Sequence, residues 1–75
     1  MERLSDMLNA AQFNLVKKRF CNVSDDTMLM LIGRAGDSCT YREVGTMHRW
    51  QLDHNKDGFI VGVHRERNYF STATA

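Results

Sequence analysis

Apolar residues recur at helical spacing near the start of the chain, and this pattern predicts a helix over residues 4–20. The apolar stripe consists of Leu4, Met7, Leu8, Ala11 and Leu15, widened by Phe13, Val16 and Phe20. Acidic residues near its beginning and basic residues near its end suit the helix dipole. The stripe is wide enough to bury the helix against a sheet.

A continuous apolar run, Met28 to Ile32, follows the polar stretch 24–26. The shortness of the run and the regular spacing of the segments after it favour a strand, which ends at the glycine-containing turn 33–37. A short helix capped by Ser24 and ended by Gly33 is the alternative, because methionine and leucine are good helix formers.

Good strand-forming residues predict a strand over residues 38–44, and the alternation of side chains between two faces predicts strands over residues 47–53 and 59–64. The faces expected to be apolar carry Trp50 and Leu52 on the middle strand, and Phe59, Val61 and Val63 on the last strand.

Together these segments predict an α+β domain over residues 1–70, in which an N-terminal amphipathic helix packs on an antiparallel meander of three to four strands. A mobile tail is expected over residues 71–75. The alternative architecture, two or three helices followed by a β-hairpin, resembles a winged helix.

Composition limits the kinds of partner. A domain of 75 residues buries a modest share of its surface, so support from a partner, a metal, a disulfide or a second copy is expected. The net charge of +1 creates no large field for nucleic acid or anionic lipid. The longest apolar run is too short to cross a membrane, and the N-terminus has no secretory pattern, so we expect a cytoplasmic protein.

The stretch DHNKDGFI, residues 53–60, resembles the first part of an EF-hand calcium loop. Asp53, Asn55 and Asp57 occupy ligand positions, and Gly58 occupies the invariant glycine position. The match ends there, since His64 stands where the bidentate glutamate should be. A β-hairpin turn over 55–58 explains the same residues, and we prefer it over a weak calcium site at Asp53, Asn55 and Asp57.

No stretch encodes a recognisable catalytic site, so the expectation is a protein without enzymatic activity or cofactor. The histidines His48, His54 and His64 do not have zinc-site spacing relative to Cys39. A Cys39–His48 pair lacks a residue to orient the base.

The favoured function is a small regulatory or binding protein that contacts another protein or a second copy of itself. An apolar strand at 28–32 needs cover on both faces, and one helix supplies one. Large aromatic residues are the expected anchors. The residues predicted at this interface are Met28, Leu29, Met30, Leu31, Trp50, Phe59, Tyr69 and Phe70. A chain this short also suits a gene from a virus or mobile element.

The alternative function is a small nucleic-acid-binding regulator, because basic residues stand beside aromatic residues that could stack on bases. Its predicted contact residues are Lys17, Lys18, Arg19, Arg42, Arg49, Arg65 and Arg67.

Overall fold

The computed structural model describes residues 1–72, apart from the side chain of Phe70, and shows an α+β fold. Its elements in chain order are β1 (Glu2–Arg3), α1 (Leu4–Met7), α2 (Ala10–Arg19), β2 (Met28–Ala35), β3 (Ser38–Glu43), β4 (Arg49–His54), β5 (Ile60–Arg65) and β6 (Asn68–Ser71). Within residues 1–72, six antiparallel strands form one sheet in the order of the sequence. Neither helix of this region has the length or apolar character to span a bilayer.

The sheet is larger than the predicted three to four strands, because two short strands were not predicted. β1 has two residues and β6 has four, too few for an alternating pattern to be visible in the sequence. The run Met28 to Ile32 lies in β2, which settles the choice between strand and helix. The alternative of several helices followed by one hairpin was therefore wrong.

The predicted helix over residues 4–20 is two helices, with a break at Leu8 and Asn9, whose backbones are extended. The Asn9 side chain accepts a hydrogen bond of 2.8 Å from the Gln12 amide, and the Gln12 side chain accepts one of 3.1 Å from the Asn9 amide. This reciprocal capping box begins α2 in a new direction. As a result Leu15, predicted in the apolar stripe, is 48% exposed.

The core lies between the helices and one face of the sheet. Its helical members are Leu4, Leu8, Phe13, Val16 and Phe20, and its sheet members are Leu29, Cys39, Tyr41, Trp50, Leu52, Ile60 and Val63. Trp50 is fully buried and meets Phe20 edge to face, with ring centroids 5.4 Å apart. Burial of this aromatic pair fixes α2 against the centre of the sheet.

The register between β4 and β5 shifts at one point, and this changes which residues face the core. Asp53 pairs with Gly62 and His54 pairs with Ile60, so Val61 has no opposite residue in β4. Ile60 is buried, whereas Phe59 is exposed. The predicted apolar face of residues 59, 61 and 63 was therefore wrong for Phe59, because the bulge breaks the two-residue alternation.

The predicted hairpin turn over residues 55–58 is confirmed. The Asn55 side-chain oxygen accepts hydrogen bonds from the amides of Asp57 (2.9 Å) and Phe59 (3.0 Å). Gly58 has a φ of +86° and donates its amide to the Asn55 carbonyl at 3.0 Å. A positive φ at this position favours glycine, and it closes the turn between β4 and β5.

The end of the described chain belongs to the sheet. Ser71 is the last residue of β6, and Thr72 is buried with its hydroxyl donating to the Ile60 carbonyl at 3.2 Å. These two residues, which lie within the predicted mobile tail, add backbone pairing beside β5. The remainder of the predicted tail, residues 73–75, lies outside the described residues.

Candidate functional site

One edge of β2 has no neighbouring strand within residues 1–72. β2 pairs with β3 along its length, but on its other side β1 reaches only Met28 and Leu29. From Met30 to Ala35 the backbone groups on that side have no partner strand in the described region. We call this segment, Met30 to Ala35, the β2 edge.

The β2 edge is unusually apolar for an exposed strand. Met30, Leu31 and Ile32 are 45%, 49% and 43% exposed, although they follow one another in sequence. The register shifts between Leu31 and Gly33, which makes Ile32 the extra residue of a bulge against β3. Three consecutive large apolar side chains therefore stand in solvent beside unpaired backbone groups.

The other residues predicted for a protein interface are dispersed. Leu29 and Trp50 are fully buried and belong to the core, so they are not part of the surface. Phe59 and Met28 line a groove of about 920 Å³ between the N-terminal segment and the β4–β5 turn. Tyr69 is exposed on the face of the sheet that is turned away from the helices. The side chain of Phe70 lies outside the described part of the chain.

The sheet face turned away from the helices carries mostly polar side chains, and we call it the outer face. Strand pairing places Thr40, Gln51, His64 and Tyr69 directly opposite one another across β3 to β6. In the adjacent row, Met30, Arg42 and Arg49 stand opposite one another across β2 to β4. A shallow cavity of about 620 Å³ on this face is lined by Thr40, Met47, Arg49, Trp50, Gln51, His64, Glu66 and Arg67.

The two carboxylates on this face are engaged by neighbours. Although burial raises the pKa of Asp53, hydrogen bonds from Ser38 (2.6 Å) and Gln51 (2.9 Å) hold that pKa below its usual value. The hydrogen bond between His48 and Glu66, 2.9 Å long, lowers the pKa of the Glu66 carboxyl. Both acids are thus ionised at neutral pH and bonded within the protein.

Unlike these carboxylates, which are bonded to neighbours, the arginines of the outer face have no oppositely charged partner within residues 1–72. Arg42, Arg49 and Arg67 are exposed, and no carboxylate within residues 1–72 lies within 4.0 Å of their side-chain nitrogens. Arg42 and Arg49 are direct cross-strand partners. Like charges placed opposite each other destabilise a strand pair, so this end of the face favours an anion.

The remaining basic residues that were predicted to contact nucleic acid lie away from the outer face. Lys17 contacts Asp25 at 3.9 Å and lies 4.8 Å from the centre of the Phe13 ring, on the helical side of the sheet with Lys18 and Arg19. Arg65 is buried, donates to the Cys21 carbonyl and stacks 5.5 Å from the Trp50 ring. Arg65 therefore stabilises the core and does not face a ligand.

The loop over residues 53–60 does not present the cluster of ligands that the calcium alternative requires. The Asn55 oxygen closes the turn, Asp53 is bonded to Ser38 and Gln51, and a strand follows where an EF-hand has a helix. Within residues 1–72, no three acidic, histidine or cysteine residues stand close enough to hold a metal ion.

Sequence reasoning missed the contribution of Gln51, Thr40 and His64 to the outer face. A signal was present in the short spacing between β5 and β6, because a turn at Glu66 and Arg67 brings His64 opposite Tyr69. The two rings lie 4.3 Å apart between centroids.

Comparison of the chain with protein-family models, with curated proteins and with solved structures gave no match.

Proposed function

We propose that this chain is a non-enzymatic protein-interaction module whose contact surface is the β2 edge, and that the occupant is the same edge of a second copy. The observation that supports this proposal is the exposure of Met30, Leu31 and Ile32 beside backbone with no neighbouring strand in residues 1–72.

An unpaired strand edge is a template for another strand, since each backbone amide and carbonyl can complete a ladder. Soluble proteins usually protect such edges with lysine, proline or a covering loop. The β2 edge has one charged residue, Arg34, near its end and large apolar residues over its first half. Burying those side chains gains about 25 cal/mol for each Å² removed from water.

A second copy is the occupant that the molecule itself supplies. Two copies related by a two-fold axis bring the same apolar edge together and cover both at once. The net charge of +1 gives little repulsion between copies. A domain of this size also gains stability from association, because its own core is small.

Sedimentation equilibrium over a concentration series tests this function. We expect the wild-type chain to approach twice its mass of 8.7 kDa as concentration rises. Leu31→Lys adds a charge to the edge and is expected to leave a folded monomer. Leu15→Lys is the matched control, since Leu15 is 48% exposed and lies on α2, away from the edge.

Two results would overturn the proposal. The first is a wild-type chain that remains a monomer up to millimolar concentration. The second is a dimer that Leu15→Lys and Leu31→Lys weaken equally, because the contact would then not depend on the β2 edge.

A further inference from the structure

We propose that the outer face is a second binding surface, which takes single-stranded nucleic acid: Arg42, Arg49 and Arg67 contact phosphates, and Tyr69 stacks on a base. This inference goes beyond the proposed self-association and does not depend on it, because it uses strands β3 to β6 and the turn after β5.

The charges of this face favour a polyanion. Three exposed arginines without a carboxylate partner in the described region outnumber the two ionised acids, Asp53 and Glu66, which are bonded to Ser38 and His48. A phosphate between Arg42 and Arg49 would offset the repulsion of this cross-strand pair. Guanidinium groups hold phosphates through paired, charge-assisted hydrogen bonds.

The aromatic residue beside these charges is held in place against the sheet. A Cβ added to Gly62 would lie 2.6 Å from the Tyr69 hydroxyl oxygen, so the tyrosine ring crosses the strand where the side chain is missing. His64 packs on the ring at 4.3 Å, and Tyr69 remains 45% exposed. A pre-positioned ring with a free surface loses little entropy when a base stacks on it.

The layout distinguishes a single strand from other anions. Successive phosphates of a nucleic acid can meet arginines on more than one strand, and adjacent strands are about 4.8 Å apart. Thr40 and the side-chain oxygen of Gln51, in the row that ends at Tyr69, offer hydrogen bonds to base edges, while the Gln51 side-chain nitrogen donates to Asp53. Stacking on Tyr69 needs an unpaired base, which a duplex does not present.

Fluorescence anisotropy with labelled oligo(dT) and oligo(U) of about a dozen nucleotides tests the inference, since such sites span roughly 4–16 nucleotides. We expect saturable binding, with a slope of log K against log salt of about −2 for three phosphate contacts. Arg49→Gln should reduce that slope by about 0.7. Tyr69→Leu should weaken binding about tenfold with little change in slope, and Tyr69→Phe should retain it.

Lys18→Gln is the charge-matched control, because it removes one positive charge on the helical side of the sheet. It should leave both affinity and slope unchanged. Thermal unfolding of each variant verifies that the fold is intact. Affinity is also measured in the Leu31→Lys background, so that nucleic-acid binding is tested independently of self-association.

Three results would overturn the inference. One is no binding by the wild-type chain at low salt. Another is an equal loss of affinity in Lys18→Gln and Arg49→Gln. The third is binding of a duplex, or of a multiply phosphorylated peptide, as tight as that of the single strand, because stacking would then contribute nothing.

Discussion

Trp50 donates its indole hydrogen to the Glu43 carboxylate at 2.8 Å in the interior of the molecule. Glu43 is 6% exposed, and its other oxygen accepts from the Thr46 hydroxyl at 2.9 Å. The backbone amide of His48 in turn donates to that hydroxyl at 3.2 Å. One buried carboxylate therefore joins the largest core side chain to the connection between β3 and β4.

Two substitutions of Glu43 should distinguish the stabilising effect of its hydrogen bond from the effect of its side-chain shape. Glu43→Leu leaves the Trp50 N–H buried without an acceptor, and we expect the free energy of unfolding to fall by about 1–3 kcal/mol. Glu43→Gln keeps an oxygen at the same place and should lose less. Urea denaturation followed by tryptophan fluorescence measures both variants. Equal losses would show that the indole bond is not the stabilising feature.

The capping box of α2 makes a second test. Asn9→Ala removes the side chain that accepts from the Gln12 amide, and we expect a loss of about 1 kcal/mol in stability. Asn9→Asp retains the cap and should behave like the wild type. Gln12→Ala should cost more than the capping bond alone, because the Gln12 side-chain Nε2 also donates to the Ile60 carbonyl at 2.9 Å. Equilibrium unfolding of the three variants gives the comparison, and an Asn9→Asp loss as large as that of Asn9→Ala would contradict it.

The break between α1 and α2 shows where a periodic pattern is insufficient. The apolar spacing runs through Leu8 and Asn9 without interruption, so periodicity alone predicts one helix. The sequence Asn9 to Gln12 carries the capping signature, but an asparagine inside a helical stripe is a weak signal. The strands β3 and β4 were predictable from alternation, which reflects one buried face, whereas β2 was predictable from a short apolar run.

The outer face could not be predicted in the same way. Its residues come from strands β2 to β6, and they are brought together by register. Bulges at Ile32 and Val61 shift that register by one residue, and such a shift reverses the face of every later side chain. Sequence spacing gave the seven basic residues equal weight, although Arg65 is buried and Arg49 is exposed.

Tyr41 provides a test at alkaline pH. Burial, with smaller contributions from Cys39 and Glu2, raises the pKa of Tyr41 from 10.0 to about 12. The folded protein therefore holds this proton more tightly than the unfolded chain does. The resulting stability is complete below pH 10.0 and is lost as pH rises toward 12.

We expect the free energy of unfolding to decrease across this window by less in Tyr41→Phe than in the wild type, because phenylalanine has no proton to lose. Urea titrations below and above pH 10.0 measure the difference between the two proteins at each pH. Parallel loss of stability in both would show that Tyr41 ionisation does not contribute.

Gly62 and Tyr69 allow a final test, in which the stability change caused by Gly62→Ala should reverse its sign when Tyr69 is removed. Alanine at Gly62 places its Cβ 2.6 Å from the Tyr69 hydroxyl oxygen and 3.1 Å from an Asp53 carboxylate oxygen. We expect Gly62→Ala to destabilise the wild type by about 1–3 kcal/mol, since a crowded site must displace the ring. In the Tyr69→Ala background the same change should be neutral or stabilising, because the ring is gone and alanine suits a strand interior better than glycine. The four proteins form a double-mutant cycle that thermal or urea unfolding can complete. A coupling energy near zero would mean that Tyr69 does not lie across Gly62, and the stacking platform of the outer face would lose its physical basis.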